Sequence, residues 1–207
     1  MPYITDARRA ARRAEMIAAA RRCFARDGFH QTSMPDIAAE AGLSAGGFYR
    51  YFPSKDDIVF EVATQAFATV FGPVDDLLDA DTPVTIGNLI EATTRPITGP
   101  PPVDAAGAPV PIDEMLRCAV QTWSELLRSS DLHERARGAF EYRRARLAEA
   151  LRRGIQAGTV PSGLDPDSAA GVLVAVLLGF LLERVAFGLD DTRSIDDFVS
   201  AARSLMS

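Results

Sequence analysis

The chain is poor in the residues that carry covalent chemistry. Its 207 residues include two cysteines and two histidines. Cys23 and Cys118 lie far apart with no metal-ligand neighbours, so neither a disulfide framework nor a zinc site follows, and a reducing cytoplasm is the expected compartment. His30 and His133 sit beside no serine or cysteine nucleophile pattern. There is no HExxH, no phosphate-binding glycine loop and no paired-carboxylate cluster in an apolar setting. No catalytic residue, metal site or cofactor is therefore expected, and the chain does not read as an enzyme. Aromatics make up 8% and β-branched runs are scarce, which argues against strands. The most apolar segment, Ala169 to Leu182 between Ser168 and Glu183, is 14 uncharged residues. A membrane span needs about 20, so this run reads as a buried helix and no membrane partner is expected. The opening residues are arginine-rich without an apolar run, so no signal peptide is expected.

What is abundant is alanine, leucine and arginine, which favours an all-α fold. Lysine occurs once, at Lys55, against 21 arginines. The net charge of −6 is unevenly spread. Residues 1–55 hold nine basic and five acidic side chains, while the remainder holds thirteen basic and twenty-three acidic ones. A basic end on an acidic body suits a polyanion partner at that end, although an arginine-rich solvated helix has the same sum.

Apolar spacing predicts about nine helices. The first spans 6–27, with Ile17, Ala20 and Phe24 on one face and Gly28 as its left-handed stop. The second, 34–41, has Ser33 as N-cap, Asp36 completing a capping box, and Pro35 in the first turn. Gly42 stops it, Leu43 plugs inward, and Ser44 caps a short third helix over 45–51 whose Phe48 and Phe52 face the core. Pro53 breaks the chain, and Ser54 with Asp57 caps a longer helix that Gly72-Pro73 ends or kinks. Further helices are expected at 82–95 (capped by Thr82), 112–129, 131–157, 166–188 and 194–206. Gly99 to Pro111 has loop composition.

Two short helices around a glycine-containing turn, from Met34 to Pro53, have the layout of a helix-turn-helix. The small Ala38 fits a close helix crossing, Gly42 tolerates a positive φ, and Ile37, Ala41, Leu43 and Phe48 glue the pair together and onto the first helix. An ordinary helical corner is the bland alternative, but capping, glycine and apolar positions agree jointly. The expected architecture is an N-terminal three-helix bundle over residues 1–55, followed by a larger helical ligand-binding and dimerisation domain over 56–207.

The run Phe24, Gly28-Phe29, Thr32-Ser33, Ile37-Ala38, Ala41-Gly42-Leu43-Ser44 and Gly47-Phe48-Tyr49-Arg50-Tyr51-Phe52-Pro53-Ser54-Lys55 resembles the DNA-binding region of the tetracycline-repressor (TetR-type) family. The likeness covers about residues 12–60 and is weaker beyond residue 75. It implies that the third helix enters the major groove, which admits one α-helix, presenting Ala45, Gly46, Gly47, Tyr49 and Arg50. Arg50 can form a bidentate contact to guanine or point at phosphate. Tyr49 and Tyr51 would donate to phosphates; Tyr51 stands where histidine is frequent in the family, and a phenol still donates. Thr32, Ser33 and Ser44 offer hydroxyls near helix starts, and Lys55 gains nothing from the macrodipole there, so a phosphate contact explains its place. Arg8, Arg9, Arg12 and Arg13 form a basic arm ahead of the first helix, set to touch DNA or remain a solvated tail.

The resemblance also assigns dimerisation to the last two helices. The eighth predicted helix agrees, being apolar on more faces than one core uses, with the small Ala175 and Gly179 beside Leu182. Phe198, Ala202 and Leu205 on the ninth complete the expected interface. A small-molecule pocket is implied between the fourth and eighth helices, with candidates Phe67, Phe71, Met115 and Cys118, then Gln121, Trp123, Phe140 and Phe180. These suggest an apolar or aromatic effector. The expected function is a homodimeric regulator, in the repressor manner, released from double-stranded operator DNA by that effector. A helical ligand-binding or scaffolding protein without operator binding is the alternative.

Overall fold

A computed structural model describes residues 6–80, 82–103 and 109–188, together with 197 and 200. Within them the chain forms eight α-helices: α1 (Asp6–Gln31), α2 (Met34–Glu40), α3 (Ala45–Tyr49), α4 (Lys55–Asp79), α5 (Ile86–Thr98), α6 (Ile112–Leu126), α7 (Ser130–Gln156) and α8 (Pro166–Phe187). The only bridge outside helices among the described residues is an isolated antiparallel pair, Val103 with Pro109. The helix expected over 194–206, with Phe198, Ala202 and Leu205, lies outside the described residues.

Two compact units result. One comprises residues 1–68 and 101–128, the other 69–100 and 129–207. In the first, α1 buries Met16, Ile17, Ala20, Cys23 and Phe24. Its helical path breaks at Gly28 (φ 84°, ψ 161°), an extended conformation with positive φ that is almost reserved for glycine. The chain resumes a short helical turn rather than ending in a left-handed cap at residue 27. That break returns Phe29 against Phe24, edge to face at 4.7 Å. The Arg8 to Arg13 segment is not an arm ahead of the helix; it forms the opening turns of α1. Arg12 pairs with Glu15 at 2.7 Å. Arg13 donates to Glu61 at 3.2 Å and lies over the Phe52 ring.

The local caps form as the spacing predicts. Ser33 Oγ accepts from Asp36 N while Asp36 Oδ2 accepts from Ser33 N at 2.8 Å, closing the capping box. The Ser33 hydroxyl also donates to Asp36 Oδ2, at 2.6 Å, and this bond first and the Ser33 N–H second hold the Asp36 carboxyl below the usual carboxylate range. Gly42 has φ +65°, as the turn requires. Ser54 and Asp57 make the same reciprocal pair at the start of α4.

Three boundaries differ from expectation. Helix α3 ends at Tyr49 instead of 51. Helix α4 continues through Gly72-Pro73 to Asp79. Helix α5 starts at Ile86, capped by Thr85 through a box with Asn88, and Thr82 caps nothing. The shift has a tertiary cause: Val84 is buried, and its carbonyl accepts from Thr159 Oγ1 at 2.7 Å, which keeps that carbonyl from accepting a helical bond.

In the second unit α7 packs along α8. The core gathers Val74, Leu78, Val84, Leu89, Leu147, Leu151 and Leu173. Gly154 sits at its tightest point: an added Cβ would fall 2.6 Å from Val160 Cγ2 and 3.0 Å from the Val84 carbonyl oxygen. Gly154→Ala is therefore expected to destabilise the fold by about 2 kcal/mol through overpacking, read as a lowered urea midpoint with unchanged slope. Helix α8 is 22 residues, longer than its uncharged run, and is long and apolar enough by length and composition to cross a membrane. One face packs inward through Ala170, Leu173, Val174, Leu177, Phe180 and Leu181. The opposite face exposes Val172, Ala175, Gly179 and Leu182.

Candidate functional site

The α2–α3 pair sits on α1 through residues the sequence marks as apolar. Ile37 and Phe48 are fully buried, as is Phe24 of α1. Leu43 N donates to Ala38 O at 2.8 Å, which closes the turn after Gly42. Ser44 Oγ accepts from Gly47 N at 3.3 Å, so its hydroxyl starts α3. With Phe48 turned inward, the outer face of α3 is Ala45, Gly46, Tyr49 and Arg50, all exposed. A Cβ at Gly46 would meet nothing within 4 Å. Its first turn is small, at Ala45 and Gly46, while Tyr49 and Arg50 project from its end, and a helix whose start is that bare can lie close to base edges in the major groove.

Other expected contact residues are placed differently. Gly47 is half-buried, and a Cβ there would press on Ser44 Oγ at 3.2 Å, so its smallness serves the cap. Thr32 is corrected: it is 2% exposed and its Oγ1 donates to Gly28 O at 2.8 Å, which removes it from any outer surface. Ser33 is exposed, but its hydroxyl is engaged with Asp36. Tyr51 is half-buried. Lys55 reaches back to the His30 carbonyl at 3.4 Å, which ties its ammonium loosely to the end of α1. Arg22 and Arg26 are committed to Glu40, whose carboxyl is lowered chiefly by the Arg22 hydrogen bond.

Helix α6 belongs to the same compact unit as this motif and packs along α1. Arg21, 7% exposed in its side chain, donates through Nε to Glu114 at 3.0 Å. Cys118 lies against the Arg21 carbonyl at 3.7 Å, and burial pushes its thiol up to about 12, so it stays protonated and unreactive. One turn on, Gln121 Oε1 is buried facing Gly28. His30 Nε2 lies 3.1 Å from Glu125 and also meets Arg128. Sequence reading missed this polar seam, because its partners are some ninety residues apart.

The expected pocket residues do not gather in one place. Met115 and Cys118 are buried in the first unit, Gln121 and Phe67 are half-buried there, and Trp123 is 41% exposed. Phe140 and Phe180 pack in the second unit. Of the eight, only Phe71 lines the recess of the second unit, which opens to solvent and has a cavity volume of about 30 Å³, room for one or two water molecules. Its walls come from α4, α5, α7 and α8: Val74, Leu78, Leu89, Leu147, Leu173 and Leu177, with Asp75, Thr93 and Arg143 as polar members. Among the described residues no cluster of three or more His, Cys, Asp or Glu could hold a metal ion.

An outward helix pair joined by a four-residue turn and seated on the first helix defines a helix-turn-helix protein. Residues 16–62 match the family model for bacterial regulatory proteins of the tetR family, and residues 111–203 match that for the BetI-type transcriptional repressor, C-terminal. The chain belongs to the TetR family, a family of transcription regulators and not of enzymes. The HTH-type transcriptional repressor KstR2 of Mycolicibacterium smegmatis is 36% identical over 78 residues, which is 38% of each chain. The HTH-type regulator YfiR of Bacillus subtilis is 40% identical over 57 residues, 28% of each chain. The chain thus spans well under half the length of these curated relatives. Among solved structures, Salmonella enterica GusR superposes with a TM-score of 0.72 at 21% identity, covering 98% of both chains. Bacillus subtilis FadR, solved in complex with stearoyl-CoA, superposes at 0.67 with 22% identity, covering 93% of this chain and 97% of that one. These likenesses concern the fold.

Proposed function

We propose that the protein is a cytoplasmic, homodimeric transcription regulator that acts as a repressor and leaves its operator when a small molecule binds. The observation that carries this reading is the exposed Ala45, Gly46, Tyr49 and Arg50 face of α3, held outward by the buried Phe48. Residues 1–55 supply DNA recognition and residues 56–207 supply ligand binding and dimerisation. Ala45 and Gly46 let the backbone approach base edges. Arg50 is the side chain on that face that can read guanine, while Tyr49, Ser33, Ser44, Tyr51 and Lys55 line its flank toward the phosphates. One such module covers few base pairs, so two copies on half-sites spaced by whole helical turns are needed. The α8 face with Ala175, Gly179 and Leu182 exposed supports self-association, since Val172 (55%) and Leu182 (50%) lie uncovered beside small residues. The recess of the second unit supports an effector site, and linkage between effector and operator follows if the effector favours a conformer in which the paired α3 helices no longer match the groove spacing.

Fluorescence anisotropy with the DNA upstream of the protein's own gene, across a salt series, tests the reading. Specific binding that weakens linearly in log salt is expected; no binding at low salt overturns it and leaves a ligand-binding or scaffolding protein. Lys55→Ala is expected to weaken binding on specific and random duplexes alike and to reduce the salt slope by about 1. An unchanged slope removes Lys55 from the phosphate contacts.

A further inference from the structure

Residues 1–55 hold nine basic side chains, and the fold does not leave them equally available. Arg12, Arg13, Arg21, Arg22 and Arg26 each pair with a carboxylate. Arg8, Arg9, Arg50 and Lys55 form no ion pair among the described residues. Glu40 alone engages two of the paired arginines: Arg22 Nε donates to it at 2.7 Å, and Arg26 Nη1 lies 3.7 Å away. These two arginines are four residues apart and project from one face of α1. Arg26 divides itself between Glu40 and Asp27, the latter at 2.9 Å. Glu40 is the last residue of α2, where a carboxylate opposes the helix macrodipole, so nothing local favours it there. Its side chain is nevertheless only 28% exposed, drawn onto α1. Among the described residues it makes the only polar side-chain ties from α2 to α1, beside the buried apolar Met34, Ile37 and Ala38. Helix α3 starts after a turn of four residues.

We propose that Glu40 is a positioning residue for sequence reading: its carboxylate pins the end of α2, and through it α3, to α1, and it withholds Arg22 and Arg26 from the DNA backbone. The proposal rests on reading α3 as the DNA-facing helix and adds a determinant of specificity that touches no base. Apolar packing sets how closely α2 lies on α1 but is non-directional, whereas a charge-assisted hydrogen bond fixes an angle. Because α3 follows so soon, a small rotation of α2 displaces Ala45, Gly46 and Arg50 relative to the base edges. The second effect is electrostatic. Cations beside a groove bind any duplex alike, because phosphates carry no sequence. Neutralising two of them lowers the background against which Arg50 discriminates. A partly exposed ion pair contributes little to stability, so the contribution of this clasp lies in specificity more than in holding the fold.

Fluorescence anisotropy of the full chain on the duplex upstream of its own gene and on a random duplex, each across a salt series, tests this. For Glu40→Gln the ratio of specific to random affinity is expected to fall at least about tenfold. Random affinity is expected to rise, and its log–log salt slope to steepen by about 0.9 for each arginine that reaches a phosphate; loosening of the fold by itself moves neither upward. The urea midpoint is expected to stay near that of wild type. Arg22→Glu combined with Glu40→Arg rebuilds the pair in reverse at the same net charge and is expected to recover most of the ratio. An unchanged ratio, an unchanged slope on random DNA, or a reversed pair no better than Glu40→Gln each overturns the proposal. Should Glu40→Gln fail to fold by circular dichroism, Arg22→Gln breaks the same bond from the α1 side; a lowered ratio is again expected, and an unchanged one overturns the proposal. Wild-type preference for the upstream duplex tests the regulator reading separately, so that preference alongside an unchanged ratio in the variants overturns this inference alone.

Discussion

Gly46→Glu is expected to abolish operator binding while leaving the protein folded. Gly46 is exposed in the first turn of α3, and a side chain there meets no atom within 4 Å of its Cβ. The fold gains helix propensity by the change, and a carboxylate near a helix start is favourable, so the melting temperature should hold or rise slightly. On DNA the same side chain would project into the groove beside the phosphates, where duplex edges offer it few donors. A loss of at least about 100-fold in affinity, roughly 2.7 kcal/mol, is expected. Gly138→Glu is the control, because Gly138 is an exposed α7 position where a Cβ also meets nothing. It adds the same charge and should leave binding within a few-fold. Anisotropy at one fixed salt concentration compares the three proteins; wild-type affinity for Gly46→Glu would remove α3 as the reading element.

Glu114→Ala is expected to cost about 3 kcal/mol of stability. Arg21 is one of the few charged residues in the core, at 6% exposure, and Glu114 is its partner at 3.0 Å. Deleting the carboxylate leaves a buried cation without compensation, and α6 loses its tie to α1. Glu114→Gln keeps an acceptor and should cost less. The double change Arg21→Met with Glu114→Leu removes both charges and should fall within about 1 kcal/mol of wild type, because the desolvation of the pair disappears with it. Urea unfolding compares the four proteins. Equal losses for the single and double variants would mean that packing, not charge, is what Glu114 contributes.

Elements whose signals are local were legible. Ser33 with Asp36, Ser44 with Gly47 and Ser54 with Asp57 close their bonds within three residues, and the same spacing is visible in the chain. The turn at Gly42 follows from its φ of +65°. The start of α5 was misplaced because Thr82 and Thr85 look alike locally; what separates them is Thr159, distant in sequence, bonding the Val84 carbonyl. Thr32 looked available for a local reason: its acceptor, the Gly28 carbonyl four residues back, comes within reach only because the chain turns again after the break at Gly28. Gly72-Pro73 read as a stop or a kink, and α4 runs on through it to Asp79.

The pocket was the least legible part. Large aromatics were chosen by type, but Trp123 lies partly exposed and the recess is walled mainly by leucine and valine. Hydrophobic periodicity identifies the apolar face of one helix without saying which faces of four helices leave a space between them. The membership of α6 in the unit of the helix-turn-helix was equally hidden, since Arg21 and Glu114 are 93 residues apart.

The order of amino acids by itself determined the all-helical class, the caps, the helix-turn-helix layout and the buried positions of Ile37, Phe48 and Phe52, because hydrogen bonds across three residues and apolar repeats across one turn are short-range matters. Folding in three dimensions decided that α6 is clasped to α1 through Arg21, that Thr159 fixes the start of α5, and that leucine and valine rather than the expected aromatics wall the recess. Those outcomes depend on buried charges and carbonyls finding partners far along the chain, and desolvation makes that search compulsory.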